Sequence, residues 1–361
     1  MIRTPTFTLA QVVQWTGGEL AGDGALALIG VCTLDRPSPQ GLGFLVHREL
    51  PRGFDPASIG ALITLPEARV DHPSRILHPE PRSAFARVLS QLVAREPALL
   101  SQYEPSFLAA EPVETRIHPT AVVSSSAQLE PGVVVGPLCV VEDGAEIGAG
   151  TVLSAQVFVG RDARIGSLCY LFPGVRVLAR VRLGDGVVVG ANTVVGGEGF
   201  GFVSDQTGHH KIPHLGSVSV ESQVELGALC AVDRGVVDDT QIGQGSKLDN
   251  LVQLGHNVRL GKNNLVAAQT GFSGGARTGE WCVFGGQVGV GGHLTIGDRV
   301  TAGGQAGIMG DVEPGKTVSG YPAVDHHRSI RAYAALLRLP ELIGRIRKLE
   351  RRLEELGKGK G

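Results

Sequence analysis

The sequence is poor in aromatic residues, which make up 5% of its 361 residues. A chain of this length can hold two or three domains, and large globular cores usually contain more aromatic side chains. Glycine is abundant by contrast, with 52 residues. Few aromatics and many glycines together favour a repetitive fold with many tight corners over one large globular core.

The low net charge and the lack of long apolar runs argue against nucleic-acid-binding and membrane-spanning proteins. The formal net charge of −2 gives no general signal for nucleic-acid binding. No run of eighteen apolar residues is present to span a membrane, and the N-terminus has no apolar signal core. We therefore expect a soluble cytoplasmic protein, with buried, reduced thiols at its scattered cysteines, Cys32, Cys139, Cys169, Cys230 and Cys282.

An aliphatic residue recurs at every sixth position from Ile117 to Val195. Chance would produce this run about five times in a million at the observed hydrophobic content, so the period is real. The period breaks at "GGEGFGFVSDQTGHHKIPHLGS", slips again at "DRGVVDDTQ", and then continues from Ile242 to Ile308 with Thr278 and Ala302 as weak members.

A period of six fits neither a helix nor an amphipathic hairpin. It predicts a short strand followed by a corner, so that three hexads make one triangular coil of eighteen residues. Stacked coils then form parallel sheets, with each aliphatic residue pointing inward above the residue eighteen positions away. Small residues, often glycine, follow the aliphatic positions and fit the crowded corners.

The flanking segments have no six-residue period. Residues 1–105 are predicted to form an α/β domain, with one helix in "FTLAQVVQWTGGELAGDG" and another over Pro81 to Ala94. The predicted strands are "ALALIGVCTLD", "GFLVH" and "GALITL". The stretch "REPALLSQYEPSFLAAEPVE" is predicted to link this domain to a repeat domain over residues 106–322.

Residues 323–361 are predicted to be helical. Apolar residues spaced four and three apart give a short coiled-coil seam, formed by Leu342, Ile346, Leu349, Leu353 and Leu356. The segment is also rich in Lys and Arg. Two interpretations stay open: a seam that pairs within an oligomer, or in addition a basic surface that binds an acidic partner.

Two histidines stand out within the repeat. The positions eighteen and thirty-six after His256 are Gly274 and Gly292, so His293 should lie at nearly the same corner, two coils away. Strand spacing makes that separation roughly 10 Å, with only the small residues of "SGGA" between them. The pattern predicts a substrate slot between two imidazoles.

A neutral imidazole can deprotonate an amine or hydroxyl group at neutral pH. Acyl transfer would also need donors for the oxyanion, from backbone N–H groups at the glycine corners or from the Asn250 amide. Alternatively, His256 is an outward polar corner residue. Zinc bound as in carbonic anhydrases would need a third ligand, and about 10 Å is too far for both histidines to reach one ion; no metal is expected.

Several motifs match one family in order along nearly the whole chain: "GEGFGF", "KIPHLGSV", "AVDRGVVDDTQIG", "DNLVQLGHNVRLG", "GVGGHLTIG" and "EPGKTVSGYPA". With these motifs the chain resembles the UDP-3-O-acylglucosamine N-acyltransferases of lipid A biosynthesis, which belong to the hexapeptide-repeat acyltransferases. The resemblance implies a left-handed parallel β-helix of hexapeptide repeats, with an N-terminal α/β domain that binds uridine and with C-terminal helices.

The resemblance also implies a function. Family members are homotrimers with sites between adjacent prisms. They move a (3R)-3-hydroxyacyl group from the 4'-phosphopantetheine thioester of acyl carrier protein to the 2-amino group of a UDP-3-O-acylglucosamine, without another cofactor. By motif, His256 resembles the general base and His293 a ligand of the nucleotide's phosphate or sugar. Asp249 and Asn250 resemble site-shaping residues, with Asn250 as oxyanion donor, and Gln253 resembles a pocket residue.

The chain departs from the family in the segment that stacks on uracil. The family pattern "F-x-x-N-x-x-Y" is "FLVHREL" here, so Phe44 is kept, His47 replaces Asn and Leu50 replaces Tyr. Phe44 and His47 are the expected uridine contacts. Glu198 also stands where Asp is usual. Two other functions stay open: an acetyl-CoA-dependent sugar acetyltransferase of the same fold, and a non-catalytic scaffold.

Overall fold

The computed structural model describes residues 1–96, 114–320 and 323–358. The predicted domain ends at residues 105 and 322, and most of the predicted linker, lie outside these ranges. Contacts divide the chain into two compact units. One contains Met1–His118 with Leu129–Val135 and Ile147–Val152, and the other contains the remainder.

The N-terminal region is an α/β fold around a sheet of six strands. In chain order the strands β1 to β6 are Ile2–Thr8, Glu19–Ala21, Ala27–Val31, Gly41–Leu45, Ala61–Thr64 and Arg75–Leu77. Their order in the sheet is β1-β3-β4-β5-β6-β2, with β3 to β6 parallel and the two edge strands antiparallel to their neighbours. The helices are α1 (Leu9–Thr16) and α2 (Pro81–Arg95), with a short 3₁₀ turn at Pro56–Ser58.

Local sequence explains the first helix. The Thr8 side chain accepts from the Gln11 backbone N–H, and the Gln11 side chain accepts in return from the Thr8 N–H, which is a capping box. Gly17 ends the helix in the left-handed conformation, at φ 74°. Leu9 and Val12 are fully buried against the sheet's core. The two predicted helices and three predicted strands are therefore present.

The repeat folds as a parallel β-solenoid, as predicted. Within the described residues its strands form three sheets of eleven, ten and nine members. The first sheet contains Arg116–Ile117, Val134–Val135, Val152–Leu153, Tyr170–Leu171, Val188–Val189, Glu225–Leu226, Lys247–Leu248, Leu265–Val266, Val283–Phe284, Thr301–Ala302 and Thr317–Val318. The second contains Val122–Val123, Val140–Val141, Phe158–Val159, Arg176–Val177, Val194–Gly197, Ala231–Asp233, Gln253–Leu254, Gly271–Phe272, Gly289–Val290 and Gly307–Ile308. The third contains Gln128–Leu129, Glu146–Ile147, Arg164–Ile165, Arg182–Leu183, Val218–Val220, Thr240–Ile242, Arg259–Leu260, Arg277–Thr278 and Thr295–Ile296.

The aliphatic residues of the hexads fill the inside of the solenoid. Leu254 pairs with Phe272, and Phe272 with Val290, so each lies eighteen residues from the next, as the period predicts. All three are at most 2% exposed. The prediction fails at the first coil, where Ile117 is 48% exposed, because its strand is the last member of its sheet and pairs on one side only.

The second corner of each coil follows the second-sheet strands and matters most for the site. Asn257, Gly275 and His293 hold corresponding places at this corner in three successive coils, and all have positive φ, at 58°, 73° and 60°. Asparagine and glycine tolerate this conformation well, and histidine is several-fold enriched there among non-glycine residues. The turn aims the side chains of Asn257 and His293 out of the prism.

The break in the period is an inserted hairpin. Its strands, Phe202–Asp205 and Gly208–Lys211, pair antiparallel and are mostly exposed. The solenoid continues across the insertion, because Leu183 of the preceding coil pairs with Val220 of the next, although the neighbouring pair of strands has a register shift between Val195 and Gly197. The insertion is thus an addition at one corner of the prism.

A buried asparagine joins two successive coils at another corner. The Asn264 side chain is fully buried and donates to the Thr278 hydroxyl and to the Gly279 carbonyl, while its oxygen accepts from the Cys282 N–H at 2.6 Å. Buried backbone groups left unpaired are costly, so this amide stabilises the stack.

We expect Asn264→Ala to lower the free energy of unfolding by about 1–3 kcal/mol for each buried group that it leaves unpaired, the Cys282 N–H first. Urea unfolding followed by circular dichroism measures this. Lys262→Ala, at an exposed position two residues away, is the control and should change stability little. Equal stability of the two variants would contradict the structural role.

Two helices follow the solenoid, α3 (His326–Leu337) and α4 (Leu339–Lys358), as predicted. Four seam residues are exposed, from 37% at Leu342 to 69% at Leu353. The side chain of the fifth, Leu356, lies outside the described residues. Within those residues, neither helix nor any other is long and apolar enough to cross a membrane. All five cysteines are buried, as expected.

Candidate functional site

A groove of ≈ 610 Å³ runs along the second sheet, beside the corner that carries His256. Its floor is built by the outward residues of four stacked strands, and its walls by a mixture of apolar and polar side chains. The main lining residues are Gln253, His256, Phe272, Val290, Ile308 and Met309, with Phe200 from the inserted hairpin and Asp233 from the coil below.

Three glycines make the floor of this groove flat. Gly271, Gly289 and Gly307 occupy the first position of successive strands, and a Cβ atom added at any of them would meet nothing within 4 Å. Packing inside this chain therefore does not require glycine there, and glycine weakens a strand. A row of strand glycines is typical of a surface that a ligand or another backbone approaches closely.

The hydrogen bonds around His256 determine which of its nitrogens is free. Its Nδ1 lies 3.1 Å from Oδ1 of Asn257. The Asn257 amide is itself oriented, because its oxygen accepts from the Val236 N–H and its nitrogen donates to the Asp238 carbonyl. The Asn257 oxygen can only accept a hydrogen bond from His256. In the neutral ring Nδ1 therefore carries the hydrogen, and Nε2 is left as the base.

The predicted slot over the glycines is occupied by the imidazoles themselves. A Cβ atom at Gly274 would lie 2.5 Å from Nε2 of His256, and one at Gly275 would collide with the His293 ring. The glycines thus admit the two rings, and the open space for a ligand is the neighbouring groove. The prediction that both histidines lie at one corner is correct, since both border one smaller pocket of ≈ 220 Å³.

That smaller pocket is basic. Besides the two histidines it is lined by Arg259 and Arg277, the outward residues of two stacked strands, and by Asp238. The Arg259 guanidinium lies 3.9 Å from the Asp238 carboxylate, at the far limit of an ion pair. His293 is exposed at its edge. Cationic side chains in this arrangement suit an anionic ligand such as a phosphate group.

A carboxylate lies beside the base. Asp233 accepts from the Gln253 amide at 2.9 Å, and both border the groove with His256. Burial raises the pKa of Asp233, while the hydrogen bond from Gln253 and the charges of His256 and His214 act in the opposite direction. Gln253 is therefore brought to the predicted site, and Asp233 is a site residue that sequence reasoning missed.

The raised pKa of Asp233 predicts a pH-dependent stability. The folded protein holds this proton more tightly than the unfolded chain, so stability falls as pH rises from the ordinary Asp pKa, about 3.9, through the raised value. Asp233→Asn cannot ionise. We expect the free energy of unfolding of this variant, minus that of wild type, to increase with pH across that window. Urea unfolding at several pH values measures this difference. A difference that does not change with pH would contradict the raised pKa of Asp233.

Asp249 and Asn250 are not brought to His256 within one chain. They lie at the corner after strand Lys247–Leu248, one third of a coil earlier, and are absent from the lining of both pockets. The Asn250 oxygen accepts from the Ala228 N–H at 2.7 Å, and the Asp249 carboxylate accepts from the Asn250 N–H. Both side chains are exposed.

The predicted uridine contacts lie in the N-terminal region. Phe44 is half-buried in the core on one sheet face and packs against Phe85, with ring centroids 4.8 Å apart. Leu50 packs into a different cluster, with Leu45 and Ile59. His47 is exposed. Phe44 and residue 50 therefore belong to separate cores.

Among the described residues, no group of three or more His, Cys, Asp or Glu side chains is placed to hold a metal ion. The site has one imidazole bordering a groove of ≈ 610 Å³, a half-buried carboxylate at Asp233, and exposed apolar side chains at Phe200 and Met309. Such a set can carry out proton transfer next to an extended apolar ligand.

Comparisons with known proteins also indicate a transferase. A family model described as bacterial transferase hexapeptide (six repeats) matches residues 162–197. The UDP-3-O-acylglucosamine N-acyltransferase of Anaeromyxobacter sp. (strain Fw109-5) is 39% identical over 362 residues, covering 98% of this chain and 99% of its own. That of Anaeromyxobacter dehalogenans (strain 2CP-1 / ATCC BAA-258) is 36% identical and covers 97% of both.

A solved structure of an Arabidopsis UDP-N-acetylglucosamine acyltransferase aligns with a TM-score of 0.49 at 24% identity, over 56% of this chain and 71% of that one. The two curated relatives named above match this chain from end to end at well over 30% identity. The chain therefore belongs to the UDP-3-O-acylglucosamine N-acyltransferase family.

Proposed function

We propose that this protein transfers a (3R)-3-hydroxyacyl chain from acyl carrier protein to the 2-amino group of UDP-3-O-(3-hydroxyacyl)-glucosamine, with His256 as general base. One observation carries the proposal: His256, whose Nδ1 is held by Asn257 so that Nε2 is left as the base, borders a groove of ≈ 610 Å³ that the exposed side chains of Phe200 and Met309 help to line. Family membership supports the substrate class.

The reaction needs one base and no resident cofactor. The substrate amine attacks the thioester carbonyl while Nε2 of His256 removes a proton from the amine nitrogen. A carbon–nitrogen bond forms, the carbon–sulfur bond breaks, and the proton passes to the departing thiolate of the phosphopantetheine arm. Positioned proton transfer of this kind contributes about 10²–10⁴-fold to the rate.

The surroundings of His256 suit the two halves of this reaction. Phe200 and Met309, whose side chains are exposed, give the groove apolar surfaces against which an acyl chain can pack. The smaller pocket with Arg259 and Arg277 suits an anionic group, and we assign it to a phosphate of the sugar nucleotide together with His293. His256 borders both spaces, as a base between the two substrates must.

The oxyanion donor is proposed to come from a second copy of the chain. Asn250 lies at another corner from His256, so it can complete this site only across an interface between prisms. The bond from the Ala228 N–H holds the amide oxygen and so orients the NH₂ group away from its own chain. A homotrimer with Asp249 and Asn250 facing the partner's His256 corner accounts for this arrangement.

The remaining assignments follow from family membership and charge. We propose that the N-terminal region binds uridine near Phe44 and His47, that the Lys- and Arg-rich helices α3 and α4 bind acyl carrier protein, and that the reaction takes place in the cytoplasm. The seam of α4, from Leu342 to Leu353, is exposed and available for pairing in the trimer.

The deciding experiment supplies the purified protein with UDP-3-O-(3-hydroxyacyl)-glucosamine and either 3-hydroxyacyl-acyl carrier protein or acetyl-CoA. We expect transfer from the carrier protein and little from acetyl-CoA, because a two-carbon chain leaves the apolar groove unfilled. Transfer from acetyl-CoA alone would replace the proposal with an acetyltransferase, and no transfer from either would indicate a non-catalytic role.

A further inference from the structure

A second histidine lies against His256. His214 follows the inserted hairpin, is 5% exposed, and has its ring centroid 5.1 Å from that of His256 at an interplanar angle of 72°. It lies in the motif "KIPHLGSV", which the proposed mechanism does not use. The inserted segment thus brings a buried imidazole to the proposed base.

The hydrogen bonds of His214 define its state. Its Nδ1 lies 2.8 Å from the Ile212 carbonyl, an acceptor, so Nδ1 carries the hydrogen and Nε2 has a lone pair. Nε2 is buried and has no hydrogen-bond partner among the described residues. A buried acceptor without a partner is destabilising, so its presence needs an explanation such as a role in catalysis.

The backbone around His214 is held so that the ring stays in place. The His214 N–H donates to the Glu198 carboxylate at 3.2 Å, and Glu198 also pairs with Lys211 of the hairpin. A Cβ atom added at Gly199 would lie 2.9 Å from both Nε2 of His214 and Cβ of His256. Glycine is therefore required where these two histidines meet.

Most charged groups near the two rings are paired with other residues. Asp233, on the coil beneath, is electrostatically coupled to both histidines. Glu198 is already paired with Lys211, and Arg234 donates to the carbonyls of Gly196 and Ala179. Asp233 is therefore the carboxylate that faces the two rings without a cationic side-chain partner.

We propose that His214 is a positioning residue for His256: it holds the His256 ring with Nε2 at the groove and presents a lone pair to the imidazolium that forms during acyl transfer. The inference rests on the proposed function. Asn257 fixes His256 at the edge through Nδ1, and His214 limits rotation of the ring from the side. Together they leave one orientation of the base.

The test compares three replacements of His214 with a control. His214→Leu and His214→Phe keep apolar bulk but remove the lone pair, whereas His214→Gln can place an amide oxygen near the position of Nε2. His210→Ala is the control, because His210 lies on the same hairpin, is exposed and pairs with Asp205. Thermal unfolding checks that each variant is folded. If one of the two apolar variants does not fold, the other still tests the inference.

We expect kcat to fall about tenfold in the Leu and Phe variants with KM for both substrates within about twofold, since misplacing a base affects the chemical step. The Gln variant should regain most of kcat and His210→Ala should resemble wild type. Unchanged kcat in a folded Leu or Phe variant, or a Gln variant as poor as these two, would overturn the inference. If instead wild type shows no acyl transfer, or His256→Ala is fully active, the proposed function fails.

Discussion

His256→Ala should lower kcat by about 10²–10⁴-fold while leaving KM for both substrates nearly unchanged. The free Nε2 of this ring is the proposed base at the groove, and alanine has no group that can take the amine proton. Initial rates with 3-hydroxyacyl-acyl carrier protein and UDP-3-O-(3-hydroxyacyl)-glucosamine measure this directly.

His293→Ala is the matched control for that result. His293 occupies the same corner two coils away and borders the basic pocket but not the larger groove. Its loss should raise KM for the sugar nucleotide more than it lowers kcat. If the two variants showed the same pattern, or if His256→Ala kept full activity, the roles of base and substrate ligand would have to be reassigned.

Gly274→Ala should be nearly as damaging, by about 10²-fold, although it adds only one methyl group. That carbon would lie 2.5 Å from Nε2 of His256 and closer than 3 Å to two ring carbons, so the imidazole must leave its place. A displacement of about 1 Å in a catalytic group can cost 10²-fold in rate. Activity assays combined with thermal unfolding measure both consequences.

Gly310→Ala separates this effect from a general intolerance of the solenoid. A Cβ atom there would meet nothing within 4 Å, and Gly310 does not line the groove. The control should keep both activity and stability. If Gly274→Ala were as active as Gly310→Ala, the His256 ring would not need to lie over Gly274 during the reaction.

The solenoid could be predicted almost completely from sequence, because one physical requirement recurs in every coil. Leu254 and Leu260 are inward residues six apart, and their burial follows from the period alone. The flanking sheet was harder to predict. Strand Ile2–Thr8 contains Pro5 and a shift in register between Arg3 and Phe7, and strand Arg75–Leu77 is too short to show a period.

Site residues that are related by the regular eighteen-residue repeat could be predicted from sequence. Those separated by an irregular coil were missed. His256 and His293 are separated by two regular coils, so the count brings them to one corner. Asn250 is six residues before His256, which already places it at another corner; the family resemblance, not the count, joined the two. Asp233 was missed because the slip that begins at this residue makes Leu254 pair with Val232 rather than with the residue eighteen earlier.

His214 shows a different limit of sequence reasoning. It belongs to the inserted hairpin segment, where there is no period from which to count. Its place beside His256 depends on backbone contacts at Gly199 and on the carboxylate of Glu198. Tertiary contacts of this kind leave no local pattern, although the motif "KIPHLGSV" marks the segment as unusual.

The uninterrupted pairing of Leu183 with Val220 across the insertion has an evolutionary consequence. Strand pairing continues the coils past the inserted segment, so the hairpin tip between Asp205 and Gly208 can change in length and sequence without breaking the coils that carry His256 and His293. Gly199 and His214 are different, because they lie against the His256 ring. Selection can therefore act on the hairpin tip separately from the residues that surround the base.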